Sequence, residues 1–293
     1  MQPYADALYP VQHQVVEEKL SSEQCVRRLQ FRKDILRELS NALRPDLEPH
    51  TRLRAALSVE TKVTIALNFY ATDSFQSATA DISNISQFSI HHSIRQVTDA
   101  LYKRRLQYIS FPMSREKQAE WQAGFVRIAG FPRVQGAIAC THVRLRVPQN
   151  HPEIFMNRKG FHSPSAQLVC DHQRRIMAVD ARYPGSSHDS FILRQSSVTA
   201  VFTRPNQDCG WLLGDEGYPL STWLMTPLQN PRTAGEHADN DAHSSTRCIT
   251  EHCIRILKQR VCCLDRSGGA LQYSLERSPS SWLSAACCIT WLS

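Results

Sequence analysis

No stretch of this 293-residue chain approaches the ~18 uninterrupted apolar residues that a spanning helix needs, so no membrane segment is predicted. The opening Met1-Gln-Pro-Tyr-Ala-Asp6 lacks the basic start and apolar core of a secretory signal. Without such a signal, the ten cysteines read as reduced intracellular thiols and not as a disulfide framework. Zinc-ligand spacing is missing too: Cys262-Cys263 and Cys287-Cys288 are adjacent pairs, and Cys248 and Cys253 are five apart. Buried small hydrophobes are the favoured reading of these residues. What is present is a hydrophobic content of 42%, enough for a real core in one large domain or two modest ones. A formal charge of +7 suits an anionic partner and says nothing about fold.

Two textures divide the chain. Up to about residue 125 the pattern is helical. Ile35, Leu36, Leu39 and Leu43 repeat at helical spacing, and Pro45 is expected to stop the run. Ser58 is a good N-cap, with Glu60 in the first turn and Val63, Leu67 and Tyr70 at helical intervals. Asp81-Ile-Ser-Asn-Ile-Ser86 then suggests a short helix and a turn at Ser83-Asn84, with a second helix starting near Ser86. That rhythm, over about 58–105, is helix-turn-helix-like. Its second helix would offer Gln87, Ser89, His91, His92 and Arg95 to DNA. An ordinary helical hairpin fits the same composition.

From about residue 130 short strands broken by Gly, Pro and Asn take over. Gly136 to Val147 reads as one half-buried strand, with Val143, Leu145 and Val147 alternating against His142, Arg144 and Arg146. Asn157-Arg-Lys-Gly-Phe161 reads as a loop, and Ala166–Asp171 and Ile176–Val179 as two further strands. Pro184-Gly-Ser-Ser-His-Asp189 is a turn feeding a helix, capped from Ser186-Ser187. Strands near 211–214 and 223–225 and a long helix complete the series. Three strands, a helix, two strands and a closing helix is the element order of an RNase H-like α/β fold, a mixed sheet with flanking helices.

The stretch Trp211-Leu-Leu-Gly-Asp215-Glu-Gly-Tyr-Pro219 ends a strand in a carboxylate, and Glu251 sits 36 positions later on the closing helix. A carboxylate at a strand end and another on a later helix is how a sheet-based nuclease gathers ligands for divalent metal. Each residue also has an ordinary reading. Ile249, Cys253, Ile256, Leu257, Val261 and Leu264 form an apolar stripe that leaves Glu251, Arg255, Lys258 and Gln259 on the outer face. A Glu251–Arg255 surface pair is then expected, worth only ~0.3–0.5 kcal/mol. His188-Asp189 reads as a polar pair at a helix start. Arg158-Lys159 and Arg174-Arg175 are solvated cations, or phosphate contacts if the frame is a nuclease.

Several blocks in this order resemble the PIF/Harbinger-type DDE transposases, and among them the Harbinger transposase-derived nucleases of vertebrates. These are Gly136-Ala-Ile-Ala-Cys-Thr-His142, Asn157-Arg-Lys-Gly-Phe-His162, Val169-Cys-Asp171, Tyr183-Pro-Gly-Ser-Ser-His-Asp-Ser190, the Trp211–Pro219 block, and Leu264-Asp-Arg-Ser-Gly-Gly-Ala-Leu-Gln-Tyr-Ser274. The resemblance covers roughly residues 55–285. It implies a helical region over 1–128, followed by a nuclease domain over 129–293. It also implies DNA as substrate, a nuclear and cytoplasmic location, a Myb-like partner protein, self-association, and Mg²⁺ or Mn²⁺ as cofactor. Asp215 and Glu251 match the second and third catalytic and metal-holding acids. Gln87, His91, Arg95, Arg158, Lys159 and Lys258 are the implied DNA contacts.

Two departures stand out. The first acid belongs in a motif of the form Asp-Cys-Thr-His, which here reads Ala139-Cys140-Thr141-His142. Alanine offers no oxygen, so two-ion chemistry is expected to fail, with at best one weakly bound ion. Asp171, Asp180 and Glu216 are conceivable substitutes, each belonging to its own block. Secondly, the family closes with a segment like Ala-Cys-Cys-Val-Leu-His-Asn and an acidic tail, where this chain has Ala286-Cys-Cys-Ile-Thr-Trp-Leu-Ser293. A C-terminally shortened domain is the expectation.

Overall fold

The computed structural model describes residues 21–48, 57–72, 85–111, 114–145, 147–148, 151–204 and 210–264. The chain forms two compact units that divide between Leu101 and Tyr102, ahead of the compositional change near residue 129.

The first unit is helical. Helix α1 (Ser22–Leu29) opens with a capping box in which Ser21 and Gln24 satisfy each other's backbone amides. Helix α2 (Lys33–Leu47) buries Leu36, Leu39, Leu43 and Leu47. It does not stop at Pro45 as its sequence suggests. A proline in the last turn removes only one intrahelical bond, at the Asn41 carbonyl, and the burial of Leu47 carries the helix two residues further. Lys62 then donates to the Leu47 carbonyl at 2.9 Å, satisfying one of the end groups that a helix leaves open. Helix α3 (Val59–Thr72) begins as expected, with Ser58 Oγ accepting from the Thr61 amide at 3.2 Å. Helix α4 (Gln87–Lys103) starts after Ser86, whose Oγ accepts from the Ser89 amide at 3.2 Å. The Tyr70 and Thr98 hydroxyls join α3 to α4 at 2.6 Å. The short helix at Asp81 and the turn at Ser83-Asn84 lie outside the described residues, so the region is helical without being established as helix-turn-helix.

The second unit runs α5 (Arg105–Tyr108), α6 (Arg115–Ala129), β1 (Val134–His142), α7 (Pro152–Phe155), β2 (Pro164–Cys170), β3 (Ile176–Pro184), α8 (Asp189–Gln195), α9 (Ser197–Phe202), β4 (Trp211–Leu213), β5 (Leu224–Met225) and α10 (Ala234–Arg260). The five strands form one mixed sheet ordered β3-β2-β1-β4-β5. Antiparallel pairs join β1 to β2 and β2 to β3, while β4 lies parallel to β1 and β5 parallel to β4.

Strand β1 starts earlier and ends sooner than its alternation suggests. It is central and covered on both faces, with every residue from Val134 to Ala139 buried. The small and apolar run therefore makes the strand, and the alternating segment from Val143 onward leaves it, Val147 being 60% exposed. A bulge between Val134 and Gly136 shifts the side-chain alternation. Val134 joins Phe125, Phe131 and Leu213 on the face covered by α6 and α10. Ile138 joins Leu193, Val198, Phe202, Leu212 and Tyr218 on the opposite face. Helix α8 is entered through His188, not through the serines before it, and no side chain caps it. Cys25, Cys170, Cys253 and Cys263 are buried, as small hydrophobes should be. Among the described residues no helix is long and apolar enough to cross a membrane.

Candidate functional site

The polar centre of the second unit lies where β1 ends. Leu213 pairs with Ala137 in parallel register, and two residues further on come Asp215 and Ala139. Asp215 stands at the start of the Gly-Tyr-Pro turn, its Oδ1 accepting the Gly217 amide at 2.9 Å. Tyr218 closes that turn by dropping its ring into the core, where its hydroxyl meets the Cys140 Sγ at 3.2 Å. Burial drives the Tyr218 phenol and the Cys140 thiol far up, so both remain protonated.

Asp189, the first residue of α8, belongs to the same centre. Its Oδ2 and the Asp215 Oδ1 lie 3.0 and 3.1 Å from the place a Cβ on Gly217 would occupy. Burial raises the Asp189 carboxyl above the usual carboxylate range, and the Asp215 charge raises it further, while the Cys140 thiol, His142 and Arg158 pull the other way. In the sequence His188-Asp189 reads as a polar pair at a helix start, and only the fold brings Asp189 to Asp215. The signal available was the block itself, a Pro-Gly turn that delivers an acid to the sheet edge.

Cations surround the carboxylates. Lys258 on α10 donates to the His142 carbonyl at 2.8 Å, so it is half-buried at the sheet end and not on an outer solvated face. Arg158 donates to His188 Nδ1 at 2.6 Å, and Lys159 follows it, both exposed. Burial lowers the His142 imidazole below its ordinary value. Asp189 acts to raise it, whereas Lys159 and Lys258 lower it further.

Glu251 lies exposed on α10, its Oε1 accepting from Arg247 at 2.7 Å. The partner is one turn before it, not Arg255 one turn after. The buried edge of the helix is Thr246, Thr250, Cys253 and Leu257, with Ile249 and Ile256 only partly covered. The conceivable substitutes for a missing acid are engaged elsewhere. Asp171 is fully buried and accepts the Gln173 and Arg175 amides at 2.8 Å each, tying the β2–β3 turn. Asp180 holds Arg182 through two oxygens at 2.8 and 2.6 Å. Glu216 is exposed. Among the described residues no group of three or more His, Cys, Asp or Glu side chains could hold a metal ion. In the first unit Gln87, His91 and Arg95 are exposed along one stripe of α4, and Arg95 lies 3.9 Å from Asp99.

A mixed sheet with flanking helices, an acid beyond β4, another on the long closing helix, and cations around the end of the central strand are consistent with a DDE nuclease domain. The chain belongs to the DDE superfamily endonuclease family, whose profile matches residues 138–290. Within that family its relatives are the Harbinger-derived nucleases. It is 39% identical over 259 residues to "Putative nuclease HARBI1" of Homo sapiens, spanning 88% of this chain and 74% of that protein. To the protein of the same name in Xenopus laevis it is 36% identical over the same length and shares. A more distant relative, "Protein ALP1-like" of Arabidopsis thaliana, is 24% identical over 220 residues, spanning 70% of this chain and 53% of that one. No solved structure matches the chain.

Proposed function

We propose that this chain is a transposase-derived, nuclease-type protein directed at DNA phosphodiester bonds, with an RNase H-like frame in which metal-dependent cleavage is impaired. The observation that carries the reading is Ala139, an apolar residue only 5% exposed, at the position alongside Asp215.

The elements around it support the assignment. Helix α10 runs beside β1 in the same direction. Thr250 meets Cys170, the register partner of Ala137, and Lys258 reaches His142. Seven residues back from Lys258 along the helix is about 10 Å. Three residues back from His142 along the strand is also about 10 Å. These spacings support reading Glu251 as part of the stretch of α10 that runs beside the end of β1, its carboxylate paired there with Arg247. When bound, two Mg²⁺ or Mn²⁺ ions would activate an attacking oxygen and stabilise the leaving one. The residues present do not fit a two-ion centre, since alanine supplies no oxygen to bridge the pair.

The second reading is a catalytically inactive DNA-binding or scaffold protein, and the same Ala139 favours it. In either case DNA is the partner. The region 1–128 would contribute Gln87, His91 and Arg95, and the region 129–293 would contribute Arg158, Lys159 and Lys258. A Myb-like partner, self-association and a nuclear and cytoplasmic location complete the proposal.

Repair of the site tests it. The unaltered chain should show negligible Mg²⁺- or Mn²⁺-dependent nicking of supercoiled DNA. Ala139→Asp should bind Mn²⁺ more tightly by calorimetry, and any cleavage it gains should vanish in Ala139→Asp/Asp215→Ala. Two ions bound equally tightly by the unaltered chain and by Ala139→Asp would sink the argument.

A further inference from the structure

We propose that the Asn157–Phe161 turn is a preformed, metal-independent grip for the DNA phosphate backbone, holding it at the end of β1 even though the carboxylate centre is incomplete. The proposal rests on the DNA reading above and adds the element that does the holding.

Two adjacent exposed cations are ordinarily just solvated, so the mounting decides the matter. Asn157 is only 4% exposed, and both polar atoms of its side chain are engaged. Its Oδ1 accepts the Lys159 amide at 2.9 Å and the Phe161 amide at 3.3 Å, while its Nδ2 donates to Ser163 Oγ at 2.8 Å. Ser163 Oγ in turn meets His142 Nδ1 at 3.1 Å, which ties the turn to the last residue of β1. Backbone bonds from Asn157 to Phe161 and from Gly160 to Asn157, each 3.0 Å, close the loop, and Gly160 takes the left-handed conformation that this needs. Gly185 seals the underside, since a Cβ there would stand 2.4 Å from Ser163 Oγ.

The rigid turn carries Arg158 and Lys159 outward while Phe161 turns back. The Arg144 guanidinium lies over the Phe161 ring at 4.6 Å, its Nε buried without a hydrogen-bond partner. Cations from three separate segments thus converge beside the His142 end of β1: Arg144 after the strand, Arg158 and Lys159 on the turn, and Lys258 on α10. Such a cluster on a preformed loop loses little entropy when it contacts phosphate, and it releases counterions when it does. Asp189 and Asp215 bound it on one side, so a phosphodiester is drawn to the turn and kept off the carboxylates.

The test uses the full chain and a fluorescein-labelled DNA duplex in EDTA, with anisotropy read across a salt series. Arg158→Gln/Lys159→Gln should weaken binding about tenfold at low salt and reduce the salt slope by about 2. Arg115→Gln/Lys117→Gln removes the same charge from exposed positions on α6 and should change affinity less than twofold. Equal losses in the two double variants, with matched melting curves, would mean that net charge alone holds DNA, and the grip would be refuted. Unaltered binding in Arg158→Gln/Lys159→Gln refutes it as well, while leaving DNA as the partner. A wild-type chain that binds no duplex even at low salt overturns both readings.

Discussion

Asp189 and Asp215 come from different elements, yet one oxygen of each lies 3.0–3.1 Å from the same point, the missing Cβ of Gly217. The turn after β4 therefore separates two carboxylates with a residue that has no side chain. Gly217 matters to the site for lack of volume, not for backbone freedom. Gly210, before β4, is the opposite case. Its φ of +80° is left-handed, and a Cβ would stand 2.2 Å from the Arg133 carbonyl oxygen, which is backbone and cannot yield.

Alanine substitutions should separate these roles. Gly210→Ala is expected to cost about 2 kcal/mol or more and lower the Tm by several degrees. Gly217→Ala closely meets only two side-chain carboxylate oxygens and no backbone, so its stability change should stay within about 1 kcal/mol. In the Ala139→Asp background, however, Gly217→Ala should weaken Mn²⁺ binding severalfold by displacing Asp215. Thermal melts and calorimetry on the same preparations check both halves. A large stability loss in Gly217→Ala would show that the turn needs its glycine for the fold.

Acid stability should carry the mark of a buried imidazole. His243 is 3% exposed, its Nε2 lying 3.2 Å from the Met225 carbonyl, and burial lowers its pKa from 6.5. The native chain stays neutral there while the unfolded chain takes a proton. Stability is then complete above about pH 6.5 and is lost as pH falls from there toward the lowered native value. His142 acts in the same sense. Asp171 and Asp189, both raised first of all by burial, act oppositely, since their charged forms burden the native state and acidification relieves them as pH drops through the raised values toward 3.8. His243→Gln keeps a donor for Met225 and should flatten the fall of Tm below pH 6.5. An unchanged slope in His243→Gln would assign the acid sensitivity elsewhere.

How far the sequence disclosed this arrangement depended on the kind of signal each element carried. Helix starts at Ser58 and Ser86 were legible because capping is local chemistry. The succession of strands and helices along the chain could be anticipated from the alternation of short apolar runs with turns, whereas their order in the sheet could not. Three features were not accessible this way. The β1 bulge at Val134–Gly136 changes which face each residue takes, and nothing in the run of small residues announces it. The partner of Glu251 depends on how α10 rotates against the sheet, which Thr246, Thr250 and Cys253 decide by burying small polar and thiol groups that an apolar stripe count ignores. Asp189 reaches Asp215 only through tertiary folding, across 26 residues of sequence.

The paired carboxylates also make a prediction about DNA in the absence of metal. With no cation between them, Asp189 and Asp215 oppose a phosphodiester held at the neighbouring turn. A unit charge acting over a few ångströms of water-like medium is worth on the order of 1 kcal/mol. Asp189→Asn, measured in EDTA at low salt and at a pH well above the carboxylate range, should therefore bind the duplex about threefold to fivefold more tightly than the unaltered chain. The gain should shrink as salt rises, because screening acts on repulsion as it does on attraction. It should also disappear in Arg158→Gln/Lys159→Gln, where the phosphate is no longer held beside the acid. If Asp189→Asn binds no better, or its gain survives at high salt, the backbone does not pass the carboxylates.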